Sequence, residues 1–236
     1  MLKIEKTVLP DAEQWKAVIE GMRNPLNSWD KSDTIYGEEY AILGDNDRKL
    51  MMSLNKGGTE HSKYRRMIPV WVTITAPLYW WKEADTYTVG KVQNSCSTMH
   101  KIHSKPIELS DFSIDNFDID DTGFDLRDLF VNVVADCEDL RKRYLIATKN
   151  AKNEGSFTEA ERKHFSRQAK RYWKGLIQLL PTSYNQKRTV FLNYEVLAKM
   201  YRERKNHKLD EWHSFCGWIM SLPYHELITM EESHER

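Results

Sequence analysis

Arg204 raises the first chemical question in this sequence. Counted from Asn193, Leu197, Met200 and Arg204 follow at +4, +7 and +11, positions near one face of a helix. A guanidinium among apolar neighbours cannot shed its proton, so it needs an anion or a carboxylate. The candidate carboxylate partners close in sequence are Glu195 and Asp210. Two other segments concentrate polar groups: Gly58-Thr59-Glu60-His61, and Asn94-Ser95-Cys96-Ser97 beyond Ala76-Pro77. His100 and His103 form H-x-x-H, but no carboxylate or Cys stands at ligand spacing, so no metal is expected. Asp118, Asp120, Thr122 and Gly123 imitate the opening of a calcium loop, whose closing position, Leu129, cannot supply a carboxylate. Arg162, Lys163, Arg167, Lys170, Arg171 and Lys174 make a basic helix face with no acid between them. It reads as a solvated face, with a phosphate or nucleic-acid contact as the other reading. Dinucleotide-binding, P-loop, zinc-protease and nucleophile-elbow motifs are absent.

The elements that must carry these residues follow from periodicity. Leu2, Ile4 and Val8 alternate with polar residues as a short strand that Pro10 stops. Asp11 and Gln14 form a capping box ahead of Trp15, Val18, Ile19 and Met22 at helical spacing. A second helix covers much of 45–54 and closes at Gly57-Gly58. The run 67–76 is the clearest strand, with Val70, Val72 and Ile74 on one face and Trp71, Thr73 and Thr75 on the other. Residues 78–105 show no clean period. From Glu108 to Asp125 there are seven acids and no Lys or Arg, which reads as a solvated loop. Long helices are expected at about 125–148, 158–180, 193–206 and 208–221, the second opened by a Thr158–Glu161 capping box. The fold class is therefore α+β: a small sheet in the N-terminal half, a long-helix C-terminal half, and one domain over 1–236.

Composition sets outer limits. The 236 residues are 40% hydrophobic and 11% aromatic with eight Trp, enough to bury a core, and 35 basic residues balance 35 acidic ones. A neutral chain argues against a protein that coats nucleic acid, though not against a local basic pocket for a small phosphate. No stretch is long and apolar enough for a membrane span, and MLKIEKTVLP has no signal-peptide core. Cys96, Cys137 and Cys216 are odd in number and widely spread, so a reduced, cytoplasmic setting is expected.

On Glu60-His61, the strand ending at Pro77, Asn94 with Ser97, and Leu180-Pro181 twelve residues before Asn193 with Arg204 eleven after it, the sequence resembles the flavin-dependent thymidylate synthases. The resemblance implies an α/β subunit in a homotetramer whose active sites lie between subunits and bind FAD, dUMP and methylene-tetrahydrofolate. Carried over by position, Glu60, His61 and Asn193 would contact flavin. Asn94, Ser95 and Ser97 would line the nucleotide, with Ser97 as the signature serine, and Arg204 would polarise the uracil ring. Methylene-tetrahydrofolate and NADPH enter only where the family reaction is retained.

The departures from the family pattern are specific. Its cationic tripeptide R-H-R falls on Thr86-Tyr87-Thr88, its first signature acid on Ser95, and its final Arg-Tyr on Met99-His100. Glu195 replaces an Arg, Ile177 replaces an Arg for the nucleotide phosphate, and Leu209-Asp210 replaces an Ala-Gln pair. Each Arg–phosphate contact contributes about 1.5–3 kcal/mol, so weak or absent FAD binding is expected unless Lys82, Lys91, Lys101 or Lys199 substitutes. Two readings follow: a divergent protein of this kind that binds or modifies a dUMP-type pyrimidine deoxynucleotide, or a catalytically inactive scaffold that captures a nucleotide or a protein partner. Viral genomes carry relatives of this family, and a viral source with the host cytoplasm as its setting suits either.

Overall fold

The computed structural model describes residues 1–117, 123 and 125–230. Most of the calcium-like positions (Asp118, Asp120, Thr122) and part of the acidic stretch lie outside the described residues. In chain order the elements are β1 (Lys3–Val8), α1 (Ala12–Arg23), β2 (Ile35–Tyr36), β3 (Ala41–Ile42), α2 (Asp45–Lys56), β4 (Pro69–Pro77), α3 (Leu78–Ala84) and β5 (Val92–Ser95). Then come α4 (Leu126–Ala151), α5 (Glu159–Leu179), β6 (Asn185–Asn193), α6 (Tyr194–Arg204), α7 (Asp210–Met220) and α8 (Glu226–Thr229). The α+β class holds, with the long helices in the C-terminal half as expected. No described helix is long and apolar enough to cross a membrane.

The chain divides into two compact units. One comprises Met1, Ala76–Trp81 and Ser95–Lys187; the other comprises Leu2–Thr75, Lys82–Asn94 and Arg188–Arg236. The first is built on the α4–α5 hairpin, with Phe112, Phe130, Val134, Cys137, Leu176 and Tyr184 in its core. Trp80 and Trp81 are buried, and Trp81 donates to the Gln186 carbonyl at 2.8 Å. These two indoles are core rather than surface. Burial pushes the Cys137 thiol up to about 11, which keeps it protonated.

The second unit holds most of a four-stranded sheet in the order β1-β4-β6-β5. Val70, Val72 and Ile74 of β4 are buried while Trp71 is exposed, as their alternation predicts. β1 pairs antiparallel with β4, but its register shifts between Ile4 and Lys6. That irregularity corrects the simple alternation read from the sequence. Thr7, not Val8, faces buried Val72, and Val8 pairs with Trp71 on the open face. The second correction is β6, which has no counterpart in the sequence reading. Its inward positions, Gln186, Val190 and Leu192, begin with a polar residue and are interrupted by Lys187 and Arg188. The segment 78–105 likewise contains α3 and β5.

A buried ion pair fastens the helices beside this sheet. Arg23 Nε donates to Asp47 Oδ1 at 2.6 Å, and both side chains are nearly inaccessible. The other carboxylate oxygen accepts from the Ser32 and Thr34 hydroxyls, each at 2.7 Å, and from the Asp33 and Thr34 N–H groups. Burial works to raise the Asp47 pKa, but the bonds from Thr34, Ser32 and Arg23 outweigh it and hold the carboxyl below its ordinary value. Asp47→Ala strands Arg23 and is expected to cost about 3–5 kcal/mol in urea denaturation. Because the folded pKa is depressed, the stabilisation is present above about pH 4 and is lost as pH falls through the lower folded value. Asp47→Asn should remove that part of the acid dependence.

Candidate functional site

A cavity of about 490 Å³ opens in the second unit. One wall is the segment Thr86–Gly90, and the other is the start of α6 with Asn193, Glu195, Val196 and Lys199. Arg66, from the 3-10 turn Lys63–Met67, completes the lining. The tripeptide Thr86-Tyr87-Thr88, where the resemblance expected cations, therefore lines a cavity but offers it hydroxyls.

The first wall is held by its flanks. Asp85 accepts from Gln93 at 2.7 Å and from Arg188 at 2.8 Å, while Lys91 donates to the Ala84 carbonyl at 2.6 Å. Burial works against the charge on Asp85, but the Gln93 and Arg188 bonds and the Lys91 charge keep its pKa below the usual range. Gly90 has φ +74°, and a Cβ there would stand 2.9 Å from Val196 Cγ2. Both the left-handed backbone and the close approach to α6 require glycine.

Arg204 controls the middle of the same wall. Its Nε donates to the Tyr87 hydroxyl at 2.9 Å and its Nη1 to Glu83 Oε2 at 2.9 Å. The guanidinium carbon lies 4.8 Å from the Trp212 ring and 5.5 Å from the Tyr87 ring. Glu83 also accepts from Trp212 Nε1 at 3.1 Å. Tyr87 donates onward to Glu203, and burial together with that carboxylate outweighs Arg204 and raises the phenol pKa. The carboxylate facing Arg204 is thus Glu83, supplied from α3, and not either of the sequence neighbours. Glu195 lies 2.6 Å from Arg65, and Asp210 is 3.6 Å from His213. Arg204 does not line the cavity; it holds Tyr87, which does.

Asn193 is the N-cap of α6, its Oδ1 accepting from Val196 N at 3.0 Å, and it also lines the cavity. Glu60 is exposed and pairs with Lys63 at 3.0 Å, and His61 is exposed beside Gly57. Asn94 is exposed at the end of the second unit's share of β5. Ser95 and Ser97 belong to the first unit, where Ser97 Oγ accepts from His100 N at 2.9 Å. Of the lysines named as substitutes, Lys199 lines the cavity and lies 5.7 Å from the Tyr87 ring centre, whereas Lys91 is committed to Ala84 and Asp85. Sequence reasoning missed Arg66, Gly90 and the partnership of Glu83 with Arg204. The Arg65-Arg66 pair just before β4 was the available signal. No group of three or more His, Cys, Asp or Glu among the described residues is placed to hold a metal.

No family model and no curated protein matches this sequence. Among solved structures it is similar to thymidylate synthase X of Helicobacter pylori with FAD and dUMP, at TM-score 0.59 and 13% identity over 98% of both chains. A second structure, described as flavin-dependent thymidylate synthase of the same organism complexed with FAD and dUMP, gives TM-score 0.59 and 13% identity over 97% of this chain and 98% of that one. At this identity the likeness shows the fold: the subunit fold of the flavin-dependent thymidylate synthases.

The two possible duties of Arg204 separate in the free protein. Glu83 is 35% exposed, so Arg204→Ala should cost about 2 kcal/mol, less than a fully buried pair. Arg204→Lys should fail to restore it, because an ammonium cannot bond Tyr87 and Glu83 while stacking on Trp212. Urea denaturation without ligand checks both. Unchanged stability in Arg204→Ala would show that the ion pair contributes nothing.

Proposed function

We propose that this protein binds a pyrimidine deoxynucleotide of the dUMP type in the cavity between Thr86–Gly90 and the start of α6. The supporting observation is the lining: the Thr88 hydroxyl and the Asn193 amide for a base and sugar, with Arg66 and Lys199 as two cations for one phosphate. Neither cation forms an ion pair among the described residues, although the charge of Arg66 is felt by exposed Glu60. Glu195, which alone would repel a phosphate, is offset by Arg65 at 2.6 Å. The neighbours' FAD and dUMP lend the same direction to the reading.

The lining is a poorer match for flavin. FAD brings a pyrophosphate in addition to the nucleotide's phosphate, and no third cation lines the cavity. Nucleotide binding is therefore proposed without a flavin-dependent step, and methylene-tetrahydrofolate and NADPH have no part in it. A homotetramer with the cavity completed at a subunit boundary, a single domain over 1–236 and a cytoplasmic setting belong to the same proposal. A monomer in light scattering at micromolar concentration would remove the assembly from it.

Thermal melts test the binding. Millimolar dUMP should raise the midpoint, since a 100-fold excess over Kd contributes about 2.7 kcal/mol. Arg66→Ala with Lys199→Ala should abolish the shift while leaving the free protein's midpoint nearly unchanged, because both side chains are exposed. No shift in the wild type, or an equal shift in the double variant, would overturn the reading. In a fluorescence titration, FAD should bind more weakly than about micromolar, a Kd corresponding to −8.2 kcal/mol.

A further inference from the structure

The exposed face of α5 carries charge that the rest of the molecule does not balance locally. From Arg162 to Leu179 there are six Lys or Arg and no acid, in a chain whose net charge is zero. Lys163 is paired with Glu159 and Arg162 with Glu154, at the helix start. Arg167, Lys170, Arg171 and Lys174 are exposed and have no ion-pair partner among the described residues. At about 100° per residue these four fall within an arc of about 100°, spaced over about 10 Å of helix. Ala169 and Leu176, on the opposite side, are buried. The neighbouring helix of the same unit is built differently: on α4, Arg141 and Lys142 meet Glu138, and Arg143 meets Asp139. A merely solvated helix would resemble α4, with acids one turn away from its cations.

We propose that this stripe on α5 binds the phosphate backbone of double-stranded nucleic acid without sequence preference. Charge complementarity favours a polyanion whose charges repeat along a line, and the phosphates of a duplex do so. A single strand would be gripped in part by stacking its bases on aromatic rings. The aromatics of this helix are engaged elsewhere: Trp173 donates to the Met99 carbonyl at 2.8 Å, Tyr172 hydrogen-bonds Arg143, and Phe165 packs on Phe157 at 4.8 Å. A membrane surface would require an apolar face beside the cations, and the apolar face of α5 is already spent in the core. The neutrality of the whole chain argues against a coating protein, not against a local stripe of this kind.

The test is fluorescence anisotropy of a labelled duplex of roughly 20 base pairs with the full chain, from about 50 to 200 mM salt. Four phosphate contacts predict a log–log salt slope of about −3.6. The variant with Arg167→Gln, Lys170→Gln, Arg171→Gln and Lys174→Gln should bind about tenfold more weakly or worse, with a slope near zero, and should melt like the wild type. If that variant does not fold, the pairs Arg167→Gln/Lys170→Gln and Arg171→Gln/Lys174→Gln must each weaken binding and halve the slope. Wild-type binding that is undetectable at low salt, or equal in the variants, overturns the proposal. So does binding to phosphatidylserine vesicles without binding to the duplex.

Discussion

A half-buried guanidinium must be answered by acceptors, and in this protein that requirement ties two distant regions of the chain together. Arg204, at the end of α6, meets Glu83 from α3 and the hydroxyl of Tyr87 from the segment that follows, with Trp212 of α7 beneath it. Coulomb attraction, hydrogen bonding and ring contact act on the same planar group, a combination only Arg provides. The consequence is geometric. With Tyr87 fixed from one side and Asp85 fixed by Gln93 and Arg188 from the other, Thr86–Gly90 has little freedom left. That wall meets α6 at Tyr87, through Arg204 and Glu203, and at Gly90, where a Cβ would stand 2.9 Å from Val196.

What could be read from the sequence divides along physical lines. Local signals carried well. The capping boxes Asp11–Gln14 and Thr158–Glu161 both form, and the stripes Trp15–Met22 and Val196–Tyr201 are buried. These depend on groups three or four residues apart, which a sequence displays directly. Signals that need a partner strand or a distant side chain did not carry. The register shift in β1 is invisible without β4, and β6 hides its alternation behind Gln186, whose amide donates to the Cys96 carbonyl at 2.6 Å.

The site shows the same division. That Arg204 needs an acceptor followed from its apolar neighbours, and an acceptor is there. Its identity did not follow, because Glu83 lies 121 residues away in sequence. Glu195 alone would repel an anion, but Arg65 lies 2.6 Å from it. Charge at a single position is a poor guide to the field in a cavity, since a buried pair contributes nearly as a dipole and an unpaired exposed cation contributes as a full charge.

The same distinction applies to the walls of the cavity. Thr86-Tyr87-Thr88 places no charge on one wall, and the two cations of the lining, Arg66 and Lys199, come from elsewhere. These cations sit on a 3-10 turn and on the second turn of α6. Such an arrangement suits one compact anion held between two points better than an extended pyrophosphate followed along a loop. Under the nucleotide reading proposed above, weak flavin binding follows from the same lining. The fold supplies the cavity in either case, and the chemistry follows from which walls carry unpaired charge.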